Sequence, residues 1–425
     1  MLIAIAAIFV LAYAAIALEH PLGVNKSASA LLGAGVLWTI YAVATGDHAL
    51  VGRQLDESVA STAQIVFFLI GAMTIVEVID AHDGFEVITS RISTTSHVRL
   101  IWLIGFVTFF LSAILDNLTT TIVMVSLIQR LIAKRDDRLL FASLIVIAAN
   151  AGGAWTVIGD VTTTMLWIGG QISPLKIMSA VFLPSLVNLL VPLVLIAFAL
   201  RGKTIAAPPK DGGLQGVDPF ERNVMFYLGL GVLIAVPAFK TVTHLPPFMG
   251  VLLGLGLVWL VGEIIHRKKE EHVRQPLTLA HALTRIDMGS IVFFVGILLA
   301  VACLEHVGLL SKLANWLEAA IGRQDIIVVV LGLLSAVIDN VPLVAATMGM
   351  YDLAHYPTDS FLWEFIAYCA GTGGSILIIG SAAGVAAMGL ERIEFLWYAR
   401  RIAPVALLGY LAGALVYMAQ YAALH

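Results

Sequence analysis

The sequence predicts an all-α polytopic membrane protein made of two inverted repeats, each with five spans, a re-entrant hairpin and a broken helix. Three observations carry this reading. The chain is 60% hydrophobic and only 12% charged, with a mean hydropathy of +0.96, whereas soluble domains lie near half apolar and a quarter charged. Apolar runs close to 20 residues long recur along it, the length a membrane span needs. An unusual heptapeptide also occurs twice, as Leu111-Ser112-Ala113-Ile114-Leu115-Asp116-Asn117 and as Leu334-Ser335-Ala336-Val337-Ile338-Asp339-Asn340.

The duplication extends beyond seven residues. Gln64-Ile65-Val66-Phe67-Phe68 precedes the first copy and Ser290-Ile291-Val292-Phe293-Phe294 the second. Gly152-Gly153 through Gly159-Asp160 follows the first, and Gly373-Gly374 through Gly380-Ser381 the second. The three blocks keep one order, at spacings of 226, 223 and 221 residues. That period is far too long for a solenoid.

Taken in order, the first span is 2–18. It has the length of a signal peptide but no basic n-region, since the first Lys or Arg is Lys26, so it reads as a retained span. Spans follow at 28–45 and 62–80. Segment 100–131 holds Asp116-Asn117 near its middle and is too short to cross twice. It therefore reads either as one helix or as a re-entrant hairpin with the motif at its tip. Spans at 139–170 and 176–200 complete repeat 1 (residues 1–200), and 201–222 reads as a basic cytoplasmic linker. Repeat 2 (residues 223–425) has spans at 223–240, 247–265, 289–307, 361–390 and 396–422, with a second hairpin at 326–350.

Charge decides in favour of the hairpins. With both hairpins re-entrant and both termini outside, 19 of the 24 Lys and Arg residues fall inside and 5 outside, as the positive-inside rule requires. A single crossing at 100–131 would set Lys134, Arg135 and Arg138 opposite Arg91 and Arg99. The five spans per half invert the second repeat, and the two hairpin tips meet near the midplane.

A carboxylate in an apolar stretch is costly and marks a function or a partner. Asp116, Asp339 and Asp160 are the three most deeply embedded, and they are the candidate ligands for a metal cation. Asn117, Asn340, Asn150, Thr119, Thr120, Thr156, Thr162, Thr163 and Ser375 supply neutral oxygens nearby, the donor set that small hard cations prefer. The Gly-rich stretches 150–164 and 371–384 are poor helix interiors, and interrupted spans free carbonyls and helix ends for ions. Burial favours the neutral form of a carboxyl, so one group can hold a proton or a cation in turn. The expected activity is exchange of a small cation for protons, with no cofactor. Glu77, late in the third span, reads as reaching the cytoplasmic interface in preference to touching the site, and Glu364, Glu305-His306, Asp80, His82 and Asp83 fall at span ends and read as interfacial. Cys303 and Cys369 read as buried reduced thiols, and the net charge of −4 gives no footprint for nucleic acid.

Leu115-Asp116-Asn117-Leu118-Thr119-Thr120-Thr121, together with Gly159-Asp160-Val161-Thr162-Thr163-Thr164-Met165-Leu166-Trp167, resembles the NhaD family of sodium/proton antiporters, of the ion transporter superfamily. The resemblance covers essentially the whole chain. It implies a homodimer in a bacterial-type inner membrane, with scaffold and transport parts and elevator-like movement. Superfamily members often carry Ser-Asn-Thr at the hairpin tips and bind sodium with a carboxylate substrate. Asp116 and Asp339 stand in place of that Ser, which disfavours the alternative, a coupled transporter of arsenite or a carboxylate. The halves also differ, since Pro342 stands where Thr119 does and Ser381 where Asp160 does. An intramembrane aspartyl hydrolase is disfavoured because Val157-Ile158-Gly159-Asp160 lacks the GxGD pattern.

Overall fold

The computed structural model describes residues 1–17, 19–89, 94, 96–200 and 218–424. Its principal helices are α1 (Leu2–Ala17), α2 (Lys26–Thr45), α3 (His48–Ala81), α4 (His97–Ser112), α5 (Asn117–Leu131), α6 (Arg135–Gly153), α7 (Val161–Ile168) and α8 (Pro174–Ala199). The same order continues with α9 (Pro219–Thr243), α10 (Pro247–His266), α11 (Met288–His306), α12 (Gln324–Leu334), α13 (Asn340–Met350), α14 (Phe361–Gly373), α15 (Ala382–Glu391) and α16 (Ala403–Leu424). A further helix, Leu309–Ile321, lies between α11 and α12, and with it set aside the order of principal helices recurs after eight. Seven helices among the described residues are long and apolar enough to cross a membrane: α2, α3, α8, α9, α10, α11 and α16.

The two motif segments are helix–turn–helix units. α4 stops at Ser112 and α5 starts at Asn117, where the Asp116 side chain caps the new helix. α12 stops at Leu334 and α13 starts at Asn340, capped by Asp339. Each of these helices has 11 to 16 residues, short of the ~20 that a span requires. The Gly-rich spans are broken as expected, with 154–160 separating α6 from α7 and 374–381 separating α14 from α15.

Close backbone contact explains the duplicated glycines. A Cβ on Gly152 would lie 2.2 Å from the Phe109 carbonyl oxygen, and one on Gly373 2.0 Å from that of Gly332. Equivalent serines clamp the same junctions. Ser112 Oγ donates to Ala149 O at 2.6 Å, and Ser335 Oγ to Ala370 O at 2.8 Å. Thus α4 is fixed on α6, and α12 on α14, by the same contacts.

Some boundaries differ from expectation. α3 begins at His48 rather than near 62 because Asp47 accepts a hydrogen bond from the Leu50 N–H and caps a polar first turn. At 34 residues it is about 51 Å long. The span expected at 396–422 divides at Ile402 into Phe395–Arg401 and α16. Pro404 has no N–H to continue the helix from Arg400. Within the linker expected at 201–222, residues 201–217 lie outside the described residues, and α9 already begins at Pro219. Cys303 and Cys369 are buried free thiols.

Candidate functional site

Four half-helices begin close together, and each is capped by a motif residue: α5 by Asp116, α7 by Asp160, α13 by Asp339 and α15 by Ser381. Helix N-termini carry partial positive charge, which offsets part of the cost of keeping carboxylates here. Asp160 is the hub. Its Oδ1 accepts the Thr162 N–H and the Thr162 hydroxyl, both at 2.8 Å. Its Oδ2 accepts Asn117 Nδ2 at 2.6 Å and Asn340 Nδ2 at 3.3 Å. Asn117 Nδ2 also donates to Asn150 Oδ1 at 2.8 Å, and Asn150 Nδ2 to Ser381 Oγ at 2.9 Å. One polar chain therefore joins both motif turns and both helix breaks. Asp160 is 1% exposed and Asn150 fully buried.

The other two carboxylates sit beside this chain. Asp116 Oδ1 accepts the Thr119 N–H at 2.8 Å and its Oδ2 the Thr119 hydroxyl at 2.6 Å. Asp339 Oδ1 accepts the Val341 N–H at 3.3 Å, and its Oδ2 lies 3.6 Å from Lys26 Nζ. Both remain within electrostatic reach of Asp160. Among the described residues no three His, Cys, Asp or Glu side chains could hold one metal ion together. A cation bound in this conformation would combine one carboxylate with amide, hydroxyl and carbonyl oxygens.

The remaining candidates divide by role. Thr156 Oγ1 donates to Ala113 O at 2.6 Å and accepts the Gly159 N–H at 3.0 Å, so it ties the first motif turn to the first helix break. Thr163 Oγ1 donates to Asp160 O, and Ser375 Oγ to Thr372 O; both bonds are local. Among the described residues the buried Thr120 hydroxyl has no hydrogen-bond partner. Ser381 and Lys26 were not among the candidates. Ser381 had a signal, its alignment with Asp160; Lys26 had none, since nothing local links it to Asp339.

Two residues expected at interfaces are buried instead. Glu364 is 2% exposed and accepts the Tyr417 hydroxyl at 2.9 Å. His82 is fully buried, with Nε2 3.1 Å from His266 Nε2 and the rings stacked at 5.0 Å. Helix packing supplied partners that made these burials tolerable. Glu77 pairs with Arg285 at 2.7 Å and lines a cavity.

That cavity, about 380 Å³, is acidic: Glu77, Asp80, Asp83, Glu86 and Asp287 line it with Arg285 and, at the site side, Thr119. A smaller void of about 50 Å³ reaches Asp116 and Asn117, sharing Met73, Val76 and Leu118 with the first. A separate cavity of about 290 Å³ is lined by Glu57, Ser58, Thr62, Glu305 and His306, and by Met165 of α7 and Met348 of α13. Glu57 and Glu77 lie about 30 Å apart along α3, close to the thickness of a bilayer core. Cavities thus lie near both ends of that helix, and the acidic one reaches the site through Thr119.

Broken helices and helix–turn–helix units meeting at buried carboxylates, among membrane-length apolar helices, define a multi-pass membrane transporter. Comparison with known proteins agrees. A family model described as "Citrate transporter" matches residues 6–364. "Sodium/proton antiporter 2" of Arabidopsis thaliana is 48% identical over 97% of this chain and 98% of its own length. "Sodium/proton antiporter 1" of the same plant is 50% identical over 98% of this chain and 72% of its own. "Na(+)/H(+) antiporter NhaD" of Alkalimonas amylolytica is 30% identical over 97% and 89%. The chain belongs to this NhaD-type antiporter family. The YdaH transporter of Alcanivorax borkumensis, 13% identical, superposes with a TM-score of 0.56 over 87% of each chain, which shows a shared transporter fold.

Proposed function

We propose that this protein exchanges sodium or lithium for protons, which compete for Asp160, Asp116 and Asp339 at the meeting point of the half-helices. The observation that carries the reading is the environment of Asp160. Among the described residues its hydrogen-bond partners are Asn117, Asn340 and Thr162, with no Lys, Arg or His. Its compensating cation is therefore exchangeable. A proton on the carboxyl cancels most of its attraction for an alkali ion, and loss of that proton restores it. Rotation of the Asn117 and Asn340 amides by a half turn presents Oδ1 in place of Nδ2, converting the site from donors to cation ligands. The sodium/proton relatives support the same cargo.

The topology is part of the proposal. The two halves are inverted repeats joined by a cytoplasmic linker, the helix–turn–helix units are re-entrant hairpins, and both termini lie outside a bacterial-type inner membrane. The recurrence of elements at a constant offset and the bias of Lys and Arg support this. The chain is a homodimer whose transport part moves as an elevator. The acidic cavity beside Arg285 is the inner approach and the Glu57–Glu305 cavity the outer one.

Purified protein in proteoliposomes with an imposed pH gradient tests the function. Addition of sodium or lithium is expected to dissipate the gradient. Citrate-dependent uptake without alkali-ion/proton exchange would replace this reading with the anion transporter that the family description suggests. Three embedded carboxylates argue against an anionic cargo.

A further inference from the structure

The two motif turns differ in the side chain that partners their carboxylate. At the first, the Asp116 partner is the Thr119 hydroxyl. At the second, Thr119 is replaced by Pro342, which has no hydroxyl to offer. Lys26, the first residue of α2, fills that role, with its Nζ 3.6 Å from Asp339 Oδ2. The ammonium also lies 4.5 Å from the ring centroid of Phe293 on α11. The Lys26 and Asp339 side chains are 19% and 13% exposed, so water screens the pair only in part. The start of α2 is anchored separately. Ser27 Oγ donates to Gly289 O at 2.8 Å, and the Lys26 N–H to Glu19 Oε1 at 3.1 Å.

We propose that Lys26 is a resident counter-cation for Asp339, competing with the transported alkali ion for that carboxylate. The assignment rests on the sodium/proton reading above. An ammonium at ion-pair distance already offsets part of the carboxylate charge, so an alkali ion arriving at the same carboxylate meets like-charge repulsion and competes with it. Lysine suits such a role because its charge is compact and its four-carbon stem flexible. The face of Phe293 gives the displaced ammonium a second resting place. The two motif turns are then unequal, Asp116 being open to an incoming ion and Asp339 guarded.

Sodium-dependent thermal stabilisation of the purified full-length protein gives the apparent sodium constant without requiring transport. Lys26→Gln is expected to lower that constant at least threefold, while Lys26→Arg, which keeps the charge, lowers it far less. In an Asp339→Asn background the further change Lys26→Gln is expected to have no effect, because nothing is left to guard. Lys26→Met, which keeps the apolar stem against Phe293, repeats the comparison if the glutamine variant is not recovered. An unchanged constant in the neutral Lys26 variants, or a shift of equal size in the Asp339→Asn background, overturns the assignment alone. A wild-type protein stabilised by neither sodium nor lithium overturns the antiporter reading and the assignment with it.

Discussion

Replacing Asp160 by Asn removes the charge at the hub and keeps its shape. Two costs follow from the geometry. Both carboxylate oxygens accept hydrogen bonds, Oδ1 from Thr162 and Oδ2 from Asn117 and Asn340. An amide can accept on one side only, so its NH2 group must face donors on the other. One buried hydrogen-bonded face is lost, at about 1–3 kcal/mol of stability. The second cost falls on the ion. At an effective dielectric constant of ~20, a carboxylate oxygen attracts a monovalent cation ~2.4 Å away by about 7 kcal/mol before desolvation is subtracted. If only ~2 kcal/mol of this survives desolvation, the apparent sodium constant rises about 30-fold, since each 1.4 kcal/mol is tenfold. Competition also predicts that the wild-type sodium affinity improves as pH rises through the range where the site loses its proton, by at most about tenfold per pH unit for one shared proton. In Asp160→Asn that slope flattens. Proteoliposomes loaded with a pH-sensitive dye and assayed from pH 6.5 to 9 measure both quantities. A variant that inserts and transports with the wild-type sodium constant and pH slope would refute the assignment of Asp160 as the shared site.

Asp116→Asn and Asp339→Asn are each expected to abolish or severely impair exchange while inserting normally, because Asn keeps an N-cap side chain; wild-type transport by both would make the two Asp purely structural. Ser381→Ala, at the position aligned with Asp160, should change the sodium constant less than Asp160→Asn in the same assay. Cysteines at Gln129 and at Lys134 should be labelled by an impermeant thiol reagent from the same membrane face as one at Arg99, and labelling from opposite faces would exclude the first re-entrant hairpin. Gly152→Ala and Gly373→Ala force a Cβ against a backbone carbonyl and should each cost about 1–3 kcal/mol, read as a lower melting temperature, whereas Gly389→Ala, with open space around its Cβ position, should be close to neutral.

Much of this architecture could be read from local pattern. Hydropathy located seven helices among the described residues long and apolar enough to cross a bilayer, because a bilayer imposes a length on each span. The duplicated Asp-Asn turns and Gly-Gly breaks stood out because both features are costly in an apolar helix and are seldom present without cause. The structure puts Asp116, Asp160, Asp339 and Ser381 at helix starts, where a short polar side chain can reach the free N–H groups of the first turn. Which of these residues forms the hub was not a local property. Asp116 and Asp339, in the repeated heptapeptide, stood foremost, yet the polar chain converges on Asp160. That convergence needs α5, α6, α7, α13 and α15 to meet, across as many as 231 residues between Asn150 and Ser381. Lys26 reaches Asp339 from the other end of the chain, and Glu364 and His82, read as interfacial from their places at span ends, are buried against Tyr417 and His266. Hydropathy and periodicity report whether a position faces water or lipid. They carry no information about which distant group will satisfy a buried charge, and that choice is made only when the helices pack.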